Sequence, residues 1–95
     1  MMIIINGNLD LSYSNIKSLG KLKEIKVSLH LNSSLIISLP EGLKVERNLN
    51  IEWTQIDELP KGLQVGRYIK LLGSKITKQY VIENRSYLWE KCSWD

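Results

Sequence analysis

The chain has little of what catalysis, secretion or a membrane usually requires. It has one cysteine, Cys92, so it cannot close an internal disulfide, and a reducing compartment such as the cytoplasm is expected. It has one histidine, His30. A metal site of three or four ligands cannot be drawn from that histidine and a distant cysteine. The two prolines and six glycines are too few for a low-complexity chain. Phenylalanine is absent. The longest apolar start, Met1-Met2-Ile3-Ile4-Ile5, has no basic flank and stops at Asn6-Gly7, so it reads neither as a signal peptide nor as a membrane span. Charge of one sign is lacking too: 13 basic against 10 acidic residues leave +3, short of a polybasic tail. There is no Gly-rich phosphate loop of either common spacing. No cofactor and no metal are expected, and an enzyme is not the expected reading.

What the chain does have is a period of 20 residues. Leu39-Pro-Glu-Gly-Leu-Lys-Val restarts as Leu59-Pro-Lys-Gly-Leu-Gln-Val. Registered on Leu9, Leu29, Leu49 and Ile69, further columns appear: Leu11, Leu31, Ile51, Leu71; then Ile16, Ile36, Ile56, Ile76; then Leu19, Leu39, Leu59, Gln79. Before each anchor stands a second pair: Ile3 and Ile5, Lys23 and Ile25, Leu43 and Val45, Leu63 and Val65. Twenty-two of these 24 positions are aliphatic, which places the period in the core and not on the surface. Of the two exceptions, Lys23 has Leu22 beside it, which predicts a one-residue shift in the first bend. Gln79 marks where the pattern ends.

Within each unit the apolar residues alternate with a period of two, as in strands with one buried face. Nothing in residues 3–76 has helical spacing. Pro40 and Pro60 follow a buried leucine and read as corners, relaxed by Gly42 and Gly62. The spacing predicts a mainly β fold: four coils of a right-handed β-solenoid, with short parallel strands about 4.8 Å apart. Ser14, Ser34, Thr54 and Ser74 form a hydroxyl column expected to bond the backbone at each bend. Residues 1–77 form the repeat region. Residues 78–95 leave the pattern and read as an aromatic C-terminal cap, or alternatively as a partner-binding tail. A short strand at Tyr80–Ile82 and a helical turn from Ser86 are expected there. The N-terminal end starts straight at Ile3 with no residues to spare for a cap, so its edge is expected to be bare or used for self-association, as a homodimer through that first coil or as a self-assembling structural protein.

The segment Leu49-x-Ile51-x-x-Thr54-x-Ile56 resembles the core of the leucine-rich repeat. With Leu39-Pro40 and Leu59-Pro60 it is similar to a short bacterial and bacteriophage form of that family, LPxGLxVxxxLxLxxTxI. The likeness spans residues 3–77, about four fifths of the chain. It departs at Asn6, Lys26, Glu46 and Gly66, where the family has a leucine, and in having Ser or Thr for the ladder asparagine. These departures favour a flatter, two-sheet solenoid over a curved horseshoe. The resemblance implies protein recognition through the outer face of the Leu-x-Leu sheet. For the phage-type relatives it implies a small protein that acts on a host factor.

The outward positions of that sheet are mostly small and polar: Asn8, Asp10, Ser12, Ser28, His30, Asn32, Ser33, Asn48, Asn50 and Glu52. Trp53 breaks this, with Tyr68, Lys70 and Leu72 one coil on and Tyr13 two coils back. Aromatics ringed by small polar groups are the composition of a binding hot spot. The expected contact set is Trp53, Tyr68, Leu72, Tyr13, His30, Asn50, Lys70 and Glu52. The plainer alternative is that Trp53 folds over a corner and packs on Leu72 or the tail. His30 shares a column with Asp10, and Ser12 and Ser28 are near, but a solvated surface histidine is the simpler reading. Arg47 and Arg67 share another column and offer a phosphate contact. Glu24, Glu41 and Glu46 interleave with them, which favours a solvated charged face and makes a nucleic-acid partner the lesser expectation.

Overall fold

The computed structural model of the protein describes residues 2–95. It is mainly β. Strands β1 (Ile3–Ile5), β3 (Leu22–Ile25), β5 (Lys44–Val45) and β7 (Gln64–Val65) form a four-stranded sheet. Strands β2 (Leu9–Asp10), β4 (Leu29–His30), β6 (Leu49–Asn50), β8 (Ile69–Lys70) and β9 (Cys92–Ser93) form a five-stranded one. All pairs are parallel. The chain alternates between the sheets, so the sequence period becomes a spatial one: Leu9 lies beside Leu29, Leu29 beside Leu49, and Leu49 beside Ile69.

The strands are only two to four residues long because each is one short side of a unit. The ladder continues through the bends. Beyond β6, for example, the Trp53 N–H donates to the Leu72 carbonyl at 3.0 Å. The expected shift in the first bend is present: Ile3 pairs with Leu22, and the register slips before Ile4 meets Glu24. Leu22 is buried in the place that Lys23 could not fill. Gly42 and Gly62 follow their prolines at φ 72° and 74°, a left-handed turn that a side chain would oppose.

The core is a set of aliphatic columns, with Leu29, Leu49 and Ile69 in one and Ile36, Ile56 and Ile76 in another. Burying each such side chain is worth about 1.5–3 kcal/mol, before the entropy of ordering the chain. The hydroxyl column does what its position implies. Ser14, Ser34 and Thr54 donate to the carbonyls of Leu11, Leu31 and Ile51 at 2.6, 2.6 and 2.8 Å. Ser74 reverses the role and accepts from the Ile76 N–H at 3.3 Å.

The C-terminal segment corrects one expectation. Tyr80–Ile82 is not a strand but part of helix α1 (Lys78–Asn84), followed by a 3-10 helix at Ser86–Lys91. Thr77 caps α1 by accepting the Tyr80 N–H at 3.0 Å. The run of Tyr, Val and Ile favours a strand locally, but burial of Val81 against the last unit decides for the helix. The segment also closes the last unit. The Tyr80 hydroxyl donates to the Leu59 carbonyl and accepts its N–H, both at 3.1 Å. Arg85 reaches the same carbonyl at 3.0 Å, and the Tyr87 hydroxyl reaches that of Leu63 at 2.8 Å. β9 pairs with β8, and the Leu71 N–H donates to the Ser93 carbonyl at 2.9 Å. Among the described residues no helix is long and apolar enough to cross a membrane.

Candidate binding face

The outer face of the second sheet is built from columns 20 residues apart. In the first, the side chains belong to the scaffold. Asn8 Oδ1 accepts the Ser28 N–H at 3.0 Å, Ser28 Oγ accepts the Asn48 N–H at 3.1 Å, and Asn48 Oδ1 accepts the Tyr68 N–H at 3.2 Å. The column ends at Tyr68, whose ring is exposed beneath the Arg67 guanidinium, 5.8 Å from its centroid.

The next column is Asp10, His30, Asn50 and Lys70, paired in register. Asn50 Oδ1 accepts the Glu52 N–H at 2.9 Å, so half of its amide is already used. Asp10 Oδ1 accepts both the Ser12 N–H at 3.0 Å and the Ser12 hydroxyl at 2.6 Å. These bonds, the hydroxyl one foremost, hold the Asp10 carboxyl below its ordinary value, and the charge of His30 adds a smaller push in the same direction. The carboxylate is thus committed to Ser12 directly. A relay from Asp10 through His30 to a serine is not assembled.

The third feature is the bend after the strands. Tyr13, Ser33, Trp53 and Gly73 all lie at positive φ: 59°, 57°, 58° and 75°. This turn suits glycine and costs an ordinary residue about 1–2 kcal/mol. Yet two of its four positions hold the aromatics Tyr13 and Trp53. Both are exposed, Tyr13 at 78% and Trp53 at 60%. Gly73 sits against one side of the indole, where a Cβ would collide with the ring. Trp53 is therefore both packed and presented: one side rests on Gly73, and most of its surface stays in water. Leu72 is exposed beside it, as the column spacing predicts.

Of the eight residues expected to form the face, the structure brings Trp53, Leu72, Tyr68, Lys70, Asn50 and Glu52 onto two adjacent units. Tyr13 and His30 lie toward the N-terminal end of the same sheet. Arg47 and Arg67 are exposed, and the expected interleaving with glutamates takes a different form. Every ion pair among the described residues joins Lys26 and Lys44 to Glu24 and Glu46 on the first sheet: Lys26–Glu24 at 3.1 Å, Lys44–Glu24 at 3.9 Å and Lys26–Glu46 at 4.0 Å. The arginines take no acidic partner there.

Two exposed residues were not anticipated. Leu35 and Ile37 stand where the other units carry Asn15 and Lys17, Gln55 and Asp57, or Lys75 and Thr77. That contrast within a column was the signal that would have found them. Trp89 and Trp94 pair at 6.1 Å in the C-terminal segment, with the Lys78 ammonium 5.9 Å from the Trp94 ring. Cys92 is half-buried; burial pushes its thiol up to about 11, so it is a packing group and not a ready nucleophile. No three His, Cys, Asp or Glu side chains gather as metal ligands among the described residues. Comparison with protein-family models, with curated proteins and with solved structures finds no match.

Proposed function

We propose that the chain is a non-enzymatic recognition module: a right-handed, leucine-rich-repeat-like solenoid of four coils with a C-terminal cap, binding a protein through the outer face of its second sheet. The observation that supports this most is Trp53. A large aromatic stands exposed at a backbone position that favours glycine, and it rests on a glycine in the next coil. Such a side chain loses little freedom on binding, which is how an anchor residue gains affinity. Tyr68 and Leu72 extend the apolar centre. Glu52, Asn50 and Lys70 form its polar surround, and His30 and Tyr13 continue the face toward the N-terminus. The side-chain oxygens of their small neighbours Asn48 and Asn50 are taken by the scaffold, which holds these side chains in place and leaves their amide N–H groups for a partner.

The partner we propose is a host factor, a defence protein among others, occluded in the cytoplasm by this chain acting as a phage or mobile-element inhibitor. That step is supported only by the resemblance of the LPxGLxV repeats to phage-type proteins. The test is affinity capture from bacterial extract with the full chain and with Trp53→Gly, each checked for an unchanged circular-dichroism spectrum. A partner held by the first and lost by the second supports the proposal. Equal capture by both refutes it.

A second reading, contact with nucleic acid, is favoured by one observation: among the described residues Arg47 and Arg67 pair with no acidic side chain, while Glu24 and Glu46 pair with lysines. Binding of that kind weakens steeply with salt. A titration with single- and double-stranded oligonucleotides at low and high salt decides it. Binding that is absent, or flat with salt, removes this reading.

A further inference from the structure

The charges on the outer face of the second sheet are not evenly placed. Arg47 and Arg67 stand at the corners before β6 and β8, and the Arg67 N–H donates to the Arg47 carbonyl at 3.0 Å. The two residues therefore lie side by side on adjacent coils, about 4.8 Å apart. Lys70 follows on β8. Arg47, Arg67 and Lys70 are all exposed, and among the described residues none of them pairs with an acidic side chain. Against these cations the outward positions of the same two coils hold one acidic residue, Glu52.

Neighbouring surfaces are balanced instead. On the first sheet Lys26 and Lys44 are matched by Glu24 and Glu46. Toward the cap, the groove beyond Tyr68 sets Lys70 and Lys78 against Glu90 and Asp95. The uncompensated positive charge of the face thus stands beside Trp53. It also has an order. Tyr68, Lys70 and Leu72 are exposed and alternate with the buried Ile69 and Leu71, so they point the same way at steps of about 7 Å. The line begins at Arg67, whose guanidinium lies over the Tyr68 ring, and ends at Leu72 beside Trp53. One end is cationic and the other apolar, about 17 Å apart along the strand.

We infer that this face docks an acidic segment of its protein partner. An apolar side chain of that segment sits on Trp53 and Leu72, and carboxylates within about five residues of it reach Lys70 and the Arg47–Arg67 pair. The inference rests on the reading above, that a protein binds here, and names the chemistry of what binds. A guanidinium takes a carboxylate through two parallel hydrogen bonds. The Tyr68 ring restrains that of Arg67 beforehand, so less freedom is lost on binding. Two arginines on adjacent coils also repel one another, and an anion shared between them relieves this. A nucleic-acid backbone supplies anions but nothing that Leu72 would cover, and its continuous charge runs onto Glu52.

The test starts with random dodecapeptides displayed on phage and selected on the full chain. The selected peptides carry two or more Asp or Glu residues within five positions of a large apolar one. One of them, synthesised with a fluorophore, is then titrated by fluorescence polarisation. Its Gln and Asn counterpart binds the unmodified chain about 10-fold more weakly. Arg67→Gln and Lys70→Gln each weaken the acidic peptide about 5-fold. Lys17→Gln removes the same charge from the segment between β2 and β3 and leaves the affinity unchanged. Each variant first matches the parent circular-dichroism spectrum; should one misfold, the Gln and Asn peptide on the unmodified chain decides. No enriched peptide, enrichment without acidic residues, affinity indifferent to the charge changes on either side, or tighter binding of a twelve-residue oligo-dT than of the peptide overturns the inference. Neutral apolar peptides that Trp53→Gly fails to hold would overturn the acidic partner alone and leave protein recognition standing. Peptides held equally by the parent chain and by Trp53→Gly would remove both.

Discussion

The two sheets share a core and a period, yet their outer faces differ in kind. On the first sheet the side chains answer one another. Glu24 sits between Lys26 and Lys44, and Glu46 approaches Lys26. Charges are neutralised in place, and the exposed apolar side chains of its strands, Ile3 and Ile4, lie on the edge strand β1. On the second sheet the polar side chains turn back to bond the backbone, and the aromatic ones are left facing water. One face is closed upon itself, and the other is open. The difference teaches that exposure alone does not mark a site. What marks it is exposure together with neighbours whose side-chain oxygens are already bonded by the scaffold.

The comparison is broken most severely from beneath. Leu49 is fully buried in the core that both sheets share. Leu49→Ala should lower unfolding free energy by about 2–5 kcal/mol, read from a urea or thermal melt. Both faces are then lost together. A smaller effect is expected at the covered end. Tyr80→Phe removes the hydroxyl that both donates to and accepts from Leu59, and should cost about 0.5–1.5 kcal/mol in the same melt. It leaves the composition of both outer faces unchanged.

The closed face is sharpened by pH. The Lys26 ammonium bonded to Glu24 holds that carboxyl below its ordinary value of 4.5. The folded-state value is the depressed one, so the contribution is fully present above about 4.5 and is lost as pH falls through the folded value. Glu24 raises the Lys26 ammonium in turn, so that contribution is present below 10.5 and fades as pH climbs past it. Acid melts of Glu24→Gln should show a flatter decline than the parent chain, and the difference should shrink with added salt. A parallel decline would mean that the first face is not self-paired in solution.

Much of this was legible in the sequence, for physical reasons. A period of 20 with aliphatic residues in fixed columns leaves few ways to bury them other than stacking, and the parallel register of Leu9, Leu29, Leu49 and Ile69 follows. Lys23 beside Leu22 foretold the slipped register, because a lysine cannot take an inward place. The helix at Tyr80–Ile82 was not legible: its residue types favour a strand, and only contact with the last unit reverses that. The exposure of Trp53 was legible as a break in a polar column. Its left-handed backbone was hidden by the aromatics at Tyr13 and Trp53, although Gly73 in the same column carried the hint. The structural duty of Asn8, Ser28 and Asn48 was not legible either. A short polar side chain looks the same in sequence whether it faces water or bonds the next strand.

The central claim is that the open face carries side chains the fold does not need, and Trp53→Gly tests it without any partner in hand. The substitution removes the indole from Gly73 but relieves a left-handed turn that glycine occupies freely. These effects oppose one another, so the melting temperature should stay close to the parent value, a change within about 1 kcal/mol or roughly 4–8 °C. A fall as large as that of Leu49→Ala would contradict the account and make Trp53 part of the core it was taken to stand outside.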